Sequence, residues 1–214
     1  MSLHAYRNIG FRFIEQEAAC AKWRKLFEGA DTSLAEQALE LKADQNFTYI
    51  TYFGIEYRLN RENGILEKKE DDCWSEDLFM NEALVLYHAL GDTKEIFGRQ
   101  GSKVPEGNLD PVSIRHSDRI DPLLKAFSAN LSGQLSALEK RCKQLGGEKL
   151  DKGDCAYRFY PFRQIPIDLV FWEADDEFPA QTNVYVDEFC TDYMHFEAVG
   201  CMVADLLQKL EQSE

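Results

Sequence analysis

The sequence predicts an α+β fold in which small antiparallel sheet units, at about 47–68 and 155–187, pack against about five helices. The first sheet unit is predicted from FTYITYFGIEYRLN, residues 47–60, where β-branched and aromatic residues nearly alternate with polar ones. The helices are predicted from apolar residues at helical spacing, and the clearest of these stripes covers residues 196–210.

The N-terminal part is predicted to contain two helices followed by a meander of strands. An apolar stripe covers about 4–28, and the capping-box spacing of Ser33 and Glu36 opens a second, shorter helix. The strands that follow continue across the Asn-Gly turn at 63–64 into a short strand at 65–68.

The middle of the chain is predicted to hold two helices joined by a long loop. Ser75 suits an N-cap, so a helix is expected after it. Residues 92–118 are rich in Gly and Pro and form a loop-rich connection. The Asp-Pro pair at 121–122 suits the start of the next helix, which Gly133 is expected to kink or split.

Three strands are predicted for the second sheet unit, at about 155–160, 166–172 and 183–187. The middle one reads IPIDLVFW and is nearly all apolar, so we expect it to be covered on both faces. A length of 214 residues suits one large domain or two small ones, with 92–118 as the possible linker, and we expect a single domain over 1–214.

The charge balance argues against polyanionic partners. The chain has 38 acidic and 24 basic residues, for a net charge of -14, and no basic stripe. Such a surface repels nucleic acid and anionic membranes, so neither is expected as a partner. The six cysteines form no CxxC pair, and no apolar run approaches 18 residues. We therefore expect a cytoplasmic protein without a membrane span.

The C-terminal half carries a family resemblance. The segments GDCAYRF (153–159), IPIDLVFWEADDEFPA (165–180), VYVDEF (184–189) and MHFEAVG (194–200) resemble an uncharacterised bacterial and archaeal family catalogued as domain of unknown function 3786. That family occurs mostly in anaerobes, and some relatives look fused to iron–sulfur modules. The resemblance therefore implies a protein partner, such as an iron–sulfur or other metalloprotein. It implies no catalytic residues, because none are established for the family.

An acidic cluster after the apolar strand is the first candidate site. Glu173 and its neighbours Asp175, Asp176 and Glu177 supply carboxylate oxygens that suit a divalent cation such as Mg²⁺ or Ca²⁺. Further candidate metal ligands follow along the chain, namely Asp187, His195 and Glu197. The alternative is an acidic surface turn with Arg158 or Arg163 as its salt-bridge partner.

A candidate ligand site is formed by Arg158, Arg163, Trp172 and Glu173, beside aromatic residues that could line an apolar pocket. Core packing of those aromatics is the alternative. The chain lacks the common motifs for binding nucleotides and iron–sulfur clusters and for serine or zinc hydrolysis. We therefore expect a ligand- or protein-binding accessory module. A divalent-cation-dependent enzyme using residues 173–177 and a structural subunit are the alternatives.

Overall fold

A computed structural model of the chain describes residues 33–76, 102–105, 114–190 and 196–211. Four helices lie in these ranges: α1 (Ser33–Ala38), α2 (Ile114–Leu131), α3 (Leu135–Gln144) and α4 (Phe196–Glu211). The strands of the first sheet are β1 (Lys42–Ala43), β2 (Phe47–Tyr52), β3 (Ile55–Asn60), β4 (Leu66–Glu70) and β5 (Cys73–Glu76). Those of the second are β6 (Lys103–Pro105), β7 (Glu148–Lys149), β8 (Cys155–Phe162), β9 (Ile165–Trp172) and β10 (Gln181–Asp187).

The first sheet is an antiparallel meander in the order β1-β2-β3-β4-β5. Its central hairpin turns at Phe53 and Gly54, which have φ values of +46° and +77°. A two-residue hairpin of the primed type needs positive φ at both turn residues, and glycine accepts this without strain. Thr48, Ile50 and Tyr52 face the core, while the residues between them face outward.

The second sheet is also antiparallel, in the order β6-β10-β9-β8-β7. Its central strand β9 is almost fully buried, as its apolar sequence predicts. Helix α2 packs on β10, and α3 packs on β8. One face of this sheet is therefore covered by helices, and Cys155, Tyr157 and Phe171 point into that buried layer.

One connected core joins the two sheets and the helices. It includes buried residues of every layer: Leu39, Ile50, Leu59, Phe127, Leu138, Phe159, Leu169, Val203 and Leu207. Hydrogen bonds from the central hairpin of the first sheet also reach the other layers. The Tyr52 hydroxyl donates to the buried Asp205 carboxylate on α4 at 2.8 Å, and the Phe53 N–H donates to the Pro161 carbonyl at 2.9 Å.

The predicted architecture of small sheet units against about five helices is wrong for the described residues. Each sheet has five strands, and only three described helices reach ten residues. The missed strands are two to four residues long, too short to show an alternating pattern. They form because a neighbouring strand pairs with their backbone. The coarse picture of helices and antiparallel strands in separate stretches of chain holds.

Two predicted helix starts are also wrong. Ser75 lies in β5, paired with Lys68, and is not a helix N-cap. The helix expected from residue 121 begins at Ile114, with Pro122 inside it. The predicted split near Gly133 is present, since α2 ends at Leu131 and α3 begins at Leu135.

Some predictions lie outside the described residues. They are the helix at 4–28, the body of the helix expected after Ser75, and most of the loop at 92–118. Within that last range the structure does describe β6 and the start of α2. A single domain over 1–214 therefore stays a prediction. None of the helices that the structure describes is long and apolar enough to cross a membrane.

Candidate functional site

Glu173, the first residue of the predicted acidic cluster, bonds to the turn between α2 and α3. Its carboxylate accepts hydrogen bonds from the Ser132 hydroxyl at 2.7 Å and the Gly133 N–H at 2.9 Å. The Ser132 bond is the main reason that the pKa of Glu173 lies below its ordinary value, and the Ala174 and Gly133 N–H groups add to the effect. Glu173 is thus held as a carboxylate by the protein itself.

This position places a negative charge at the start of α3. The N-cap residue Gln134 makes no side-chain capping bond, and its amide NH2 donates to the Asn130 carbonyl at 2.8 Å. A carboxylate near a helix N-terminus is stabilised by the helix dipole. Glu173 therefore stabilises the break between the two helices, which is a structural role for a residue predicted to bind a ligand.

The other acids of the cluster do not converge with Glu173. Asp175 accepts the N–H groups of Glu177 and Phe178 at 2.8 and 2.7 Å, which closes its own loop and lowers the pKa of its carboxyl. Asp176 and Glu177 are exposed.

The remaining predicted metal ligands lie elsewhere. Asp187 is buried at the far end of β10 from the acidic turn, and it accepts the Phe189 N–H at 3.0 Å. Because β10 rises about 3.3 Å per residue, roughly 20 Å separates its two ends, which is too far for one ion to be shared. His195 and the side chain of Glu197 lie outside the described part of the chain. Across the described ranges, no group of three or more His, Cys, Asp or Glu residues is arranged to hold a metal ion.

Arg158 forms a salt bridge with Asp168, a residue that the sequence did not indicate as its partner. Its Nε and Nη2 donate to the two oxygens of Asp168 at 2.6 and 2.8 Å. The two residues are cross-strand neighbours on β8 and β9, so their side chains leave the same face of the sheet. This hydrogen-bonded pair raises the pKa of Arg158. The pairing with the acidic turn that we considered for Arg158 is wrong.

Lys103 and Asp187 are two further charged residues on this face. Lys103 pairs in register with Asp187 on β10, and burial lowers its pKa while Asp168 and Asp187 oppose that change. The sequence pointed to neither Lys103 nor Asp168, because β6 carries no strand pattern and Asp168 sits in an apolar run. Trp172 is half-buried at the end of β9, opposite Gln181. Of the other aromatic residues expected to line a pocket, Tyr160 is exposed, whereas the rest are buried in the core: Tyr157, Phe159, Phe162 and Phe171.

A groove of about 560 Å³ lies where the outward face of the first sheet meets the end of β8. We call it the junction groove, and it is lined by Leu39, Glu40, Leu41, Lys42, Tyr49, Thr51, Glu56, Tyr160, Pro161 and Arg163. Arg163 forms an ion pair with Glu40 at the groove, at 2.5 Å. Of the four predicted ligand-binding residues, only Arg163 lines it.

The first-sheet residues of the groove were missed by sequence reasoning. The near-alternation of residues 47–60 places Tyr49, Thr51 and Glu56 on one face, and the register confirms that Thr51 is paired with Glu56. That signal identifies an outward face. It does not show that a turn of the second sheet closes over it.

Comparison with known proteins supports the resemblance seen in the C-terminal half. The model of a family described as a domain of unknown function, DUF3786, matches residues 31–209. No curated protein matched the chain, and no solved structure did. Since the match covers well over half of the sequence, the chain belongs to the DUF3786 family, a domain of unknown function.

Proposed function

We propose that this protein is a binding module, and that the junction groove holds a small molecule carrying both an acidic and a basic group. The observation that carries this proposal is the groove itself. Its volume of about 560 Å³ falls within the roughly 300–1,000 Å³ of typical small-molecule sites. It lies between two sheets that share one core, so the strands that form its walls are packed against that core on their other side.

The charges of the groove favour a ligand with charges of both signs. Lys42 and Arg163 line it together with Glu40 and Glu56. Arg163 is paired with Glu40, and Glu56 accepts a bond from Lys69 at 2.7 Å. No ion pair involves Lys42 within the described residues, so its ammonium group can receive a ligand carboxylate. Glu40 and Glu56 can receive a ligand ammonium group.

Two tyrosines provide flat surfaces for the body of the ligand. The Tyr49 hydroxyl donates to the Asp44 carboxylate at 2.7 Å, which fixes the orientation of the ring. Tyr160 is 40% exposed, and within the described ranges only Phe178 is a more exposed large hydrophobic residue. Its hydroxyl donates to the Glu148 carboxylate at 3.2 Å. Aromatic rings with a polar end suit a site that is partly wet, because the ring buries apolar ligand surface while the hydroxyl keeps a polar partner.

The test is isothermal titration calorimetry of the full chain with free amino acids, dipeptides, and the same compounds with the amine acetylated or the carboxylate amidated. We expect binding by zwitterions and a loss of about tenfold or more in affinity when either charge is blocked, because one charge-assisted hydrogen bond is lost. Failure of every zwitterion to bind, or equal binding of the blocked compounds, would overturn the proposal.

Matched variants place the binding in the groove. Tyr160→Ala and Lys42→Ala are expected to weaken binding without unfolding the protein, since both side chains are exposed. Phe178→Ala is the control for the first, because Phe178 is 66% exposed on the acidic turn. Lys125→Ala, an exposed lysine on α2, is the control for the second. Equal effects in variants and controls would show that the ligand binds elsewhere.

A further inference from the structure

Strand β2 leaves part of its edge unpaired where it borders the junction groove. The Asp44 N–H donates to the Phe47 carbonyl, and the Phe53 N–H donates to the Pro161 carbonyl, both at 2.9 Å and both on the side of this hairpin that faces away from β3. Because hydrogen-bonding groups alternate from one edge to the other along an antiparallel strand, Thr51 directs its N–H and its C=O to this same edge. Within the described residues, neither group has a hydrogen-bond partner.

Strand β1 begins too late along the chain to pair with Thr51. In its register Glu40 would lie opposite Thr51, but the strand starts only at Lys42. The Leu41 N–H donates to the Glu36 carbonyl at 2.8 Å, and Glu40 has a φ of +54°, as in the Schellman motif that ends a helix. The main chain at Glu40 therefore closes α1 and does not bond to the sheet.

Strand β8 does not close this edge either. Its Pro161 has no N–H, and the Pro161 carbonyl is already bonded to Phe53. The pairing of β8 with β9 also shifts between Phe159 and Phe162, so this end of β8 departs from a regular strand. The main-chain donor and acceptor of Thr51 therefore line the groove between two elements that do not bond to them.

The length of this unpaired edge suits a short peptide, which binds to such an edge by adding a strand. The gap lies between Tyr49, which pairs with Lys42, and Phe53, which bonds to Pro161. Steps of about 3.4 Å per residue make it roughly 14 Å long. An extended tripeptide spans about 10–11 Å, and it is the shortest peptide whose middle residue has both an amide N–H and an amide C=O. Because chain segments bound the gap at both ends, it suits a free peptide better than an internal segment of a protein.

We propose that the junction groove binds a free peptide as an added antiparallel strand, with a tripeptide as the best fit. This inference rests on the proposed function, since it names the class of the zwitterionic ligand. The N–H of the middle residue donates to the Thr51 carbonyl, and the carbonyl of that residue accepts the Thr51 N–H. An added antiparallel strand runs in the direction of β1, so the ligand carboxylate lies toward Lys42. The ligand ammonium group then lies toward Pro161 and the neighbouring Arg163–Glu40 ion pair.

The test is isothermal titration calorimetry of the wild-type full chain with alanine, dialanine and trialanine. We expect trialanine to bind about tenfold more tightly than dialanine, because only trialanine offers an amide N–H and an amide C=O on one residue. Binding of dialanine as tight as that of trialanine would overturn the added strand and leave the proposed function standing. Failure of all three compounds to bind would overturn both.

Two methylated isomers of trialanine test the pairing with Thr51. A methyl group on the amide nitrogen of the middle residue removes the donor to the Thr51 carbonyl, so a loss of about tenfold or more in affinity is expected. The same methyl group on the nitrogen of the third residue is the matched control. That N–H points away from β2 in the added strand, so its loss should change affinity by less than about threefold. Equal losses for the two isomers would contradict the added strand.

A proline variant tests the same bond from the protein side. Thr51→Pro removes an N–H that bonds to nothing in the described sheet, so the chain should fold and lose about tenfold or more in trialanine affinity. Ala43→Pro is the control, since Ala43 is exposed on β1, lies outside the groove and turns its N–H away from β2. Equal losses in the two variants would overturn the role of Thr51. The methylated peptides use the wild-type chain, so they decide the inference even where Thr51→Pro does not fold.

Discussion

Replacing Arg158 with methionine is expected to lower the free energy of unfolding by about 3 kcal/mol, because it leaves a buried charge without its partner. The Asp168 side chain is only 2% exposed and receives two bonds from Arg158. Removing one member of a buried pair costs about 3–5 kcal/mol. The lower end applies here, since the Arg158 side chain is 31% exposed and water reaches the site once it is gone.

The opposite replacement should cost less. Asp168→Asn leaves Arg158 charged but partly solvated, and the asparagine oxygen still accepts one hydrogen bond, so a loss of about 1–2 kcal/mol is expected. The double variant Arg158→Met with Asp168→Leu removes both charges together. Its stability should return to within about 1 kcal/mol of the wild type, because no uncompensated charge remains.

Urea unfolding followed by circular dichroism at neutral pH measures these differences, and unchanged m-values show that the unfolding reaction is the same. Arg163→Met is the matched control, since its partner Glu40 and Arg163 itself are 65% and 75% exposed. Such an exposed pair contributes about 0–1 kcal/mol. The reasoning is refuted if Arg158→Met costs no more than this control, or if the double variant is as unstable as Arg158→Met alone.

Two further predictions concern the connections around the second sheet. Glu173→Gln should destabilise the protein by about 1–2 kcal/mol near neutral pH, through weaker bonds to Ser132. Folding lowers the pKa of Glu173, so its contribution to stability is complete above the pKa of the unfolded state and is lost as pH falls through the pKa of the folded state. The difference in thermal stability between wild type and Glu173→Gln should therefore shrink from neutral to acid pH. Gly153→Ala should cost about 2 kcal/mol or more, since φ is +52° and the new Cβ would lie 2.7 Å from the Phe171 carbonyl oxygen. Gly133→Ala, with φ +76° and no atom within 4 Å, should cost about 1 kcal/mol, and equal losses in denaturant would contradict the steric reasoning.

Much of the second sheet could be predicted because its strands bury regular apolar patterns. The strands expected at 155–160, 166–172 and 183–187 are observed as Cys155–Phe162, Ile165–Trp172 and Gln181–Asp187. The last helix was equally clear, since its apolar stripe is buried from Val199 to Leu210. In these elements the apolar residues that the local spacing places on one face are the same residues that the tertiary structure buries.

The edge strands could not be predicted. Lys42–Ala43, Lys103–Pro105 and Glu148–Lys149 are too short to show a period, and they become strands only because a longer neighbour pairs with them. The error at Ser75 has the same origin. Its sequence suits a helix N-cap, but the backbone pairs with β4 instead.

By itself the sequence determined the family, the acidic character, the central strands of the second sheet and the position of the last helix, because each follows from local order along the chain. Only the tertiary structure decided which side chains meet. It directed Arg158 to Asp168 and Glu173 to the α2–α3 turn, and it brought Arg163 to a groove formed by the other sheet. Partners so distant in sequence are chosen by strand register and layer packing, which no local pattern encodes.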